Sequence, residues 1–248
     1  MFPKPSFFPV QRVSLLVAAL LLLAAGQPGW QPAVRVYGAM RSFMMGPDLG
    51  GKVRLASVPT PHRYALGVAA GLRGELLAWN GPMTLTTVAD GGKTYSRPAP
   101  ADAQAALLVA STVSHWQAVP VPAAVRDFPD LERLVARAAA QRGLDTAVAL
   151  PFRLSGRPLA VRYHVMNWPR PAAEHTLQNH KQYAVKGIFS NQPVEMLGFF
   201  SRQHQSVFTH HTTFLHLHVR PAGQAFAAHV DSLRFAPGTA TLYLPAAR

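Results

Sequence analysis

The chain has no cysteine among its 248 residues, and that absence alone removes several possibilities. No disulfide can staple the fold, no thiolate can hold a metal, and no lipid can be carried on a leader cysteine. Any metal must therefore sit on nitrogen and oxygen. Acidic residues are also scarce, 11 against 24 Lys and Arg, for a formal charge of +13. The basic residues are scattered, mostly as arginines, with no run and no interleaved aromatic motif, so no nucleic-acid partner is expected. The charge fits instead a solvated arginine-rich surface, attraction to anionic membranes, or a field that favours small anionic ligands. Long hydrophobic runs are missing too. VSLLVAALLLLAA, from Val13 to Ala25, is short of the roughly 20 residues a spanning helix needs.

That run follows Lys4 and Arg12 and is followed by small residues at Ala24 and Gly26. This is the pattern of a cleaved secretory leader over 1–26, which predicts an exported protein, periplasmic or extracellular, with no stable membrane anchor after cleavage. Hydrophobic content of 49% is enough for a sizeable core. Residues 27–248 read as one domain with two β-rich halves, about 27–125 and 145–248.

Val34–Met40 and Lys52–Val58 are strand-like around a glycine-rich turn. ELLAW and MTLTTV flank Asn80-Gly81 as a hairpin, and ALLVASTV is a further strand. FPDLERLVARAAAQRG is the clearest helix: Leu131, Leu134, Val135 and Ala138 share a face, and Gly143 stops it. Ala147–Leu154, Leu159–Met166, YAVKGIFS and VEMLGFF read as strands, with NWPRPAAEHTLQNHKQ a polar loop. The fold class is α+β and mostly β, with two packed mixed or antiparallel sheets and few helices.

The informative stretch is TTFLHLHVRPAGQAFAAHV, from Thr212 to Val230. Side chains alternate along a strand, so His216 and His218 point one way while Leu215, Leu217 and Val219 point the other. RPAGQ breaks the strand, and an antiparallel return centred near Ala222 or Gly223 carries His229 back to about the level of His216. Three neutral imidazoles converging on one point are the ligands of a catalytic zinc site with an open fourth position. Another first-row divalent metal suits the same donors. The plainer alternative is three structural histidines on a partly exposed sheet face. His204, His210 and His211 are loop or outer-layer candidates, while His62, His115, His164, His175 and His180 fall in no usable pattern.

These residues resemble the metal-binding segment of bacterial α-acetolactate decarboxylases, a His-x-His followed eleven residues later by a third zinc-ligating histidine, as at His216, His218 and His229. YALGVAAGLRGELLAWNGPMTL is similar to the family's glycine-rich segment, whose active-site glutamate falls on Glu75, and YAVKGIF to a strand that precedes the histidines. The resemblance implies a metal-dependent decarboxylase of a small anionic 2-hydroxy-3-keto acid, 2-acetolactate giving acetoin and CO2, and a homodimer is compatible with it. Glu75 would act as proton donor or orient the substrate hydroxyl. The chain departs from the family twice. Glu195 or Met196 stands where an arginine holds the substrate carboxylate, leaving Lys186 and Arg202 as substitutes, and no acidic residue follows Asp231, where the family has a tail glutamate. A non-catalytic or differently specific metal-binding protein on the same scaffold is the alternative.

Overall fold

The computed structural model describes residues 30–169, 174 and 176–246, so the expected leader over 1–26 and His175 lie outside the described residues. Strands β1 (Val34–Tyr37), β2 (Val53–Arg54), β3 (Arg63–Ala69), β4 (Glu75–Trp79), β5 (Met83–Val88), β6 (Thr94–Pro98) and β7 (Gln104–Thr112) form a first sheet. Its order is β1-β7-β3-β4-β5-β6, with β2 also on β7. Strands β8 (Trp116–Pro120), β9 (Leu150–Gly156), β10 (Ala160–Met166), β11 (Ala184–Phe189), β12 (Val194–Phe200), β13 (Leu215–Pro221), β14 (Ala228–Arg234) and β15 (Ala240–Pro245) form the second. There the order is β11-β10-β14-β13-β12-β9-β15-β8. All pairings in both sheets are antiparallel. Two antiparallel sheets and few helices are the expected fold class.

The hydrophobic alternation decides the layering. Leu66, Val68, Leu77, Leu107 and Val109 of the first sheet pack with Leu197 and Phe199 of the second in one cluster between the sheets. The other face of the second sheet, through Met196, Phe200, Leu215, Leu217, Val219 and Val230, packs under a helix. That helix is α2 (Phe128–Ala140), and its buried Leu131, Leu134, Val135 and Ala138 are the predicted stripe. Asp127 caps it by accepting from the Asp130 N–H at 3.1 Å, satisfying one of the first-turn donors that a helix cannot pair itself.

Local differences from expectation have identifiable causes. The first strand ends at Tyr37 because Gly38 takes φ +80° with its α-carbon against the Ala106 carbonyl, where a Cβ would lie 2.2 Å from that oxygen. A short helix α1 (Met40–Met44) follows in place of continued strand. The second strand stops at Arg54, where the Ser57 hydroxyl donates to the Arg54 carbonyl at 2.7 Å and winds 55–57 into a 3-10 turn. Within the predicted polar loop lies α3 (Leu177–Gln182), capped by the Thr176 side chain accepting from the Asn179 N–H. Among the described residues no helix is long and apolar enough to cross a membrane.

Candidate metal centre

His216 and His218 occupy alternate positions of β13, so both face the first sheet, as the alternation predicted. The hairpin return differs from expectation by two residues: His229 pairs directly with His218, not at the level of His216. The Gln224 N–H donates to the Pro221 carbonyl at 3.1 Å with Gly223 at φ +73°, which sets the turn one residue further along. Directly opposed residues on antiparallel strands share a face, so the shift tightens the grouping. Ring centroids are 5.1 Å apart for His216–His218, 5.1 Å for His216–His229 and 5.8 Å for His218–His229. Imidazoles sharing one tetrahedral ion, with metal–nitrogen bonds of about 2.0–2.1 Å, place their centroids about 5 Å apart.

Electrostatics fit the same donor set. Burial pushes the His216 and His218 imidazoles well below their ordinary range, and burial likewise lowers His229. All three are thus neutral, the state in which a ring nitrogen ligates. His218 Nδ1 lies 3.0 Å from the Leu76 carbonyl, which fixes the tautomer with the proton on Nδ1 and the lone pair on Nε2. His216 Nδ1 and His218 Nε2 are buried without a hydrogen-bond partner, and His229 Nδ1 has only the Asp231 carboxylate, at 3.4 Å. Unsatisfied buried nitrogens are costly, and a cation among them would remove that cost.

Glu75 opens β4 and points between the sheets, 2% exposed. Its Oε1 accepts from the Met166 N–H at 3.2 Å, and its Oε2 lies 3.6 Å from His218 Nε2. Burial pushes its pKa up to about 7, so near neutral pH the carboxyl is divided between acid and carboxylate. An active-site role for Glu75 came from the family resemblance; its burial and its contact with His218 are what the structure adds.

Two residues escaped the sequence reading. His164 on β10 pairs directly with His229, its ring centroid 4.7 Å away, and Asp231 follows His229 by two residues on β14. Asp231 Oδ1 is 2.6 Å from His164 Nδ1 and 3.4 Å from His229 Nδ1. Burial would raise the Asp231 pKa, but the two imidazoles hold it below the usual carboxylate range. Burial would lower His164, but Asp231 outweighs it and leaves that imidazole above its ordinary value. His164, His229 and Asp231 each offer a donor atom within 4.8 Å of the others. Asp231 was legible by the same alternation that selected His216 and His218; His164 was not, because only strand pairing brings it to His229.

The two anion-holding candidates separate. Lys186 on β11 is exposed and pairs with His164, so it stands on the histidine face at the edge of the same row. Arg202 lies exposed in the loop after β12, and nothing among the described contacts links it to the centre. Glu195 faces Arg220, 2.7 Å from its Nη2. Arg220 continues the His216–His218 face of β13 and stacks over Trp79 at 4.6 Å.

The chain matches no protein-family model, and no curated protein is significantly similar to it. Solved structures are similar in fold. The α-acetolactate decarboxylase of Bacillus subtilis strain 168 aligns with a TM-score of 0.65 at 14% identity, over 86% of each chain. Acetolactate decarboxylase of Bacillus subtilis subspecies spizizenii gives 0.66 at 14%, over 87% of this chain and 86% of that one. A Staphylococcus aureus protein of unknown function, described as similar to α-acetolactate decarboxylase, gives 0.64 at 12%, over 85% and 84%. At such identities the likeness establishes the fold: this chain has the acetolactate decarboxylase fold.

Proposed function

We propose that this protein is a metal-dependent decarboxylase of a small 2-hydroxy-3-keto acid, with 2-acetolactate giving acetoin and CO2 as the reaction. The observation that carries the reading is the meeting of three neutral imidazoles, His216 and His218 buried and His229 half-buried, with a buried carboxyl of raised pKa between the sheets. His216, His218 and His229 are the residues that would hold a zinc or similar divalent ion, with Asp231 fixing His229 from behind. Such an ion supplies Lewis-acid polarisation of a carbonyl oxygen, worth on the order of several kcal/mol in acyl and keto chemistry.

The protein's own groups account for the remaining steps. Loss of CO2 leaves an electron pair on the carbon that carried the carboxylate, and that carbon must gain a proton to become acetoin. Glu75, with a pKa of about 7, holds a transferable proton at neutral pH and lies beside His218. That matches the requirement that a general acid have a pKa near the working pH. The substrate carboxylate needs a cation, and Arg220 and Lys186 are the candidates on the histidine face. Arg220 lies two positions beyond His218 on β13, directly across from Glu195, where the resemblance expects the arginine. This favours Arg220 over Arg202.

A second reading rests on the His164, His229 and Asp231 triad, a two-histidine, one-carboxylate set of the type that holds iron(II) in oxygenases. Acetoin release from racemic 2-acetolactate separates the two. Zinc-loaded protein should release acetoin, and chelator-treated and His218→Ala protein should not. Absence of release from protein that retains zinc would rule out this substrate.

A further inference from the structure

A second cluster of potential ligands lies away from the three histidines. Of the seven methionines in the chain, three sit on or beside the five-residue helix α1, as Met40, Met44 and Met45. They line a cleft of about 330 Å3 whose other wall carries His210 and His211. Met40 and Met44 are four residues apart and so share a helix face. They are half-buried against the cluster between the sheets while also lining the cleft, and Met45 is 84% exposed.

The opposite wall is held rigidly. The His204 carbonyl accepts from the N–H groups of Val207, Phe208 and Thr209 at 3.0, 3.1 and 3.2 Å, and the Ser206 N–H donates to the Thr209 carbonyl at 2.8 Å. Two backbone bonds tie this loop to α1: the Met40 N–H to the Val207 carbonyl at 2.6 Å and the Arg41 N–H to the Ser206 carbonyl at 3.0 Å. His210 Nδ1 accepts from the Thr212 N–H at 3.3 Å and lies 2.8 Å from the Thr212 hydroxyl, which fixes the ring, and the His211 ring lies 4.0 Å from it. Methionines and histidines are therefore brought together by backbone bonding, with no need for a ligand to gather them.

We propose that Met40, Met44, Met45, His210 and His211 form a binding site for a soft monovalent metal ion, copper(I). The donor chemistry selects the ion. Thioether sulfur is a poor ligand for zinc, magnesium or calcium and a good one for copper(I), and neutral imidazole completes such sets. The site has no carboxylate in its lining, and Arg41 and Lys181 are nearby cations. A doubly charged ion would meet uncompensated repulsion there, whereas a singly charged polarisable ion is held by uncharged donors. Burial and the neighbouring His211 and Lys181 keep His210 below its ordinary pKa, consistent with a neutral ligand.

The test is an anaerobic titration of the intact, zinc-loaded chain with copper(I) buffered by bicinchoninate, following zinc release in parallel. The wild type should take one copper(I) from the competitor and keep its zinc. Replacing Met40, Met44 and Met45 together by Leu, a swap that conserves volume, should weaken copper(I) binding by about ten-fold or more with zinc content unchanged. His210→Ala with His211→Ala should do the same. The proposal is overturned if the wild type takes no copper(I), if the triple Leu variant binds it as tightly as the wild type, or if each copper(I) taken up displaces a zinc. The last result would assign copper to the histidine centre.

Discussion

His218 and His229 lie directly opposite one another across the β13–β14 pair. Their rings meet from two strands on one face, with His164 next in the same row across β10. Removing either of the first two imidazoles therefore removes one of the three proposed ligands. His218→Ala and His229→Ala should each abolish stoichiometric zinc binding, measured by equilibrium dialysis, while circular dichroism keeps the β signature. Retention of zinc by both variants would place the ion elsewhere.

Asp231 acts on the centre at one remove. Its carboxylate contacts both His164 and His229 through Nδ1, and carboxylates that orient ligating histidines are worth roughly 10–100-fold in metal affinity. Asp231→Asn should lower zinc affinity by that factor, leaving one zinc per chain at saturation. A variant that loses zinc altogether would make Asp231 a direct ligand and favour the two-histidine, one-carboxylate reading.

Glu75 gives a prediction with a definite sign. Its folded pKa of about 7 is above the ordinary 4.5, so the folded chain binds this proton more tightly than the unfolded chain. Its contribution is fully present below about pH 4.5 and is lost as pH rises to 7 and beyond, on the order of 3 kcal/mol. In metal-free protein, Glu75→Gln carries no such proton. Denaturant unfolding at pH 5 and pH 8 should show the variant gaining stability relative to the wild type at the higher pH. An unchanged difference would mean that Glu75 is ionised throughout. For turnover, the same variant should lose roughly 10²–10⁴-fold in kcat, with zinc affinity retained.

Arg220 should reveal the carboxylate subsite. Arg220→Gln is expected to raise KM for the keto acid about ten-fold or more, the size of a lost charged hydrogen bond, without changing zinc content. An equal effect of Arg202→Gln, with none from Arg220→Gln, would return the role to the exposed loop.

What was legible in the sequence was local. Alternation in LHLH put two histidines on one face, the helix stripe of Leu131, Leu134, Val135 and Ala138 was readable at its 3.6 period, and the Asn80-Gly81 hairpin followed from turn chemistry. What depended on pairing between distant strands was hidden. His164 is 65 residues before His229 and becomes its neighbour only because β10 pairs β14. The short helix α1 was hidden for a related reason: Gly38 must yield to the Ala106 carbonyl of β7, a constraint absent from VRVYGAM itself. Glu75 sits between these cases. Its sequence context names a hairpin residue, and its burial under the second sheet comes from the packing of β4 against β14 and β10.

The most direct measurement is anomalous diffraction at the zinc absorption edge from crystals of zinc-loaded protein. A peak bounded by nitrogens of His216, His218 and His229 is expected, each about 2.0–2.1 Å from it, with the Glu75 carboxyl facing the open side. A peak between His164 and Asp231, away from His216 and His218, would contradict this expectation.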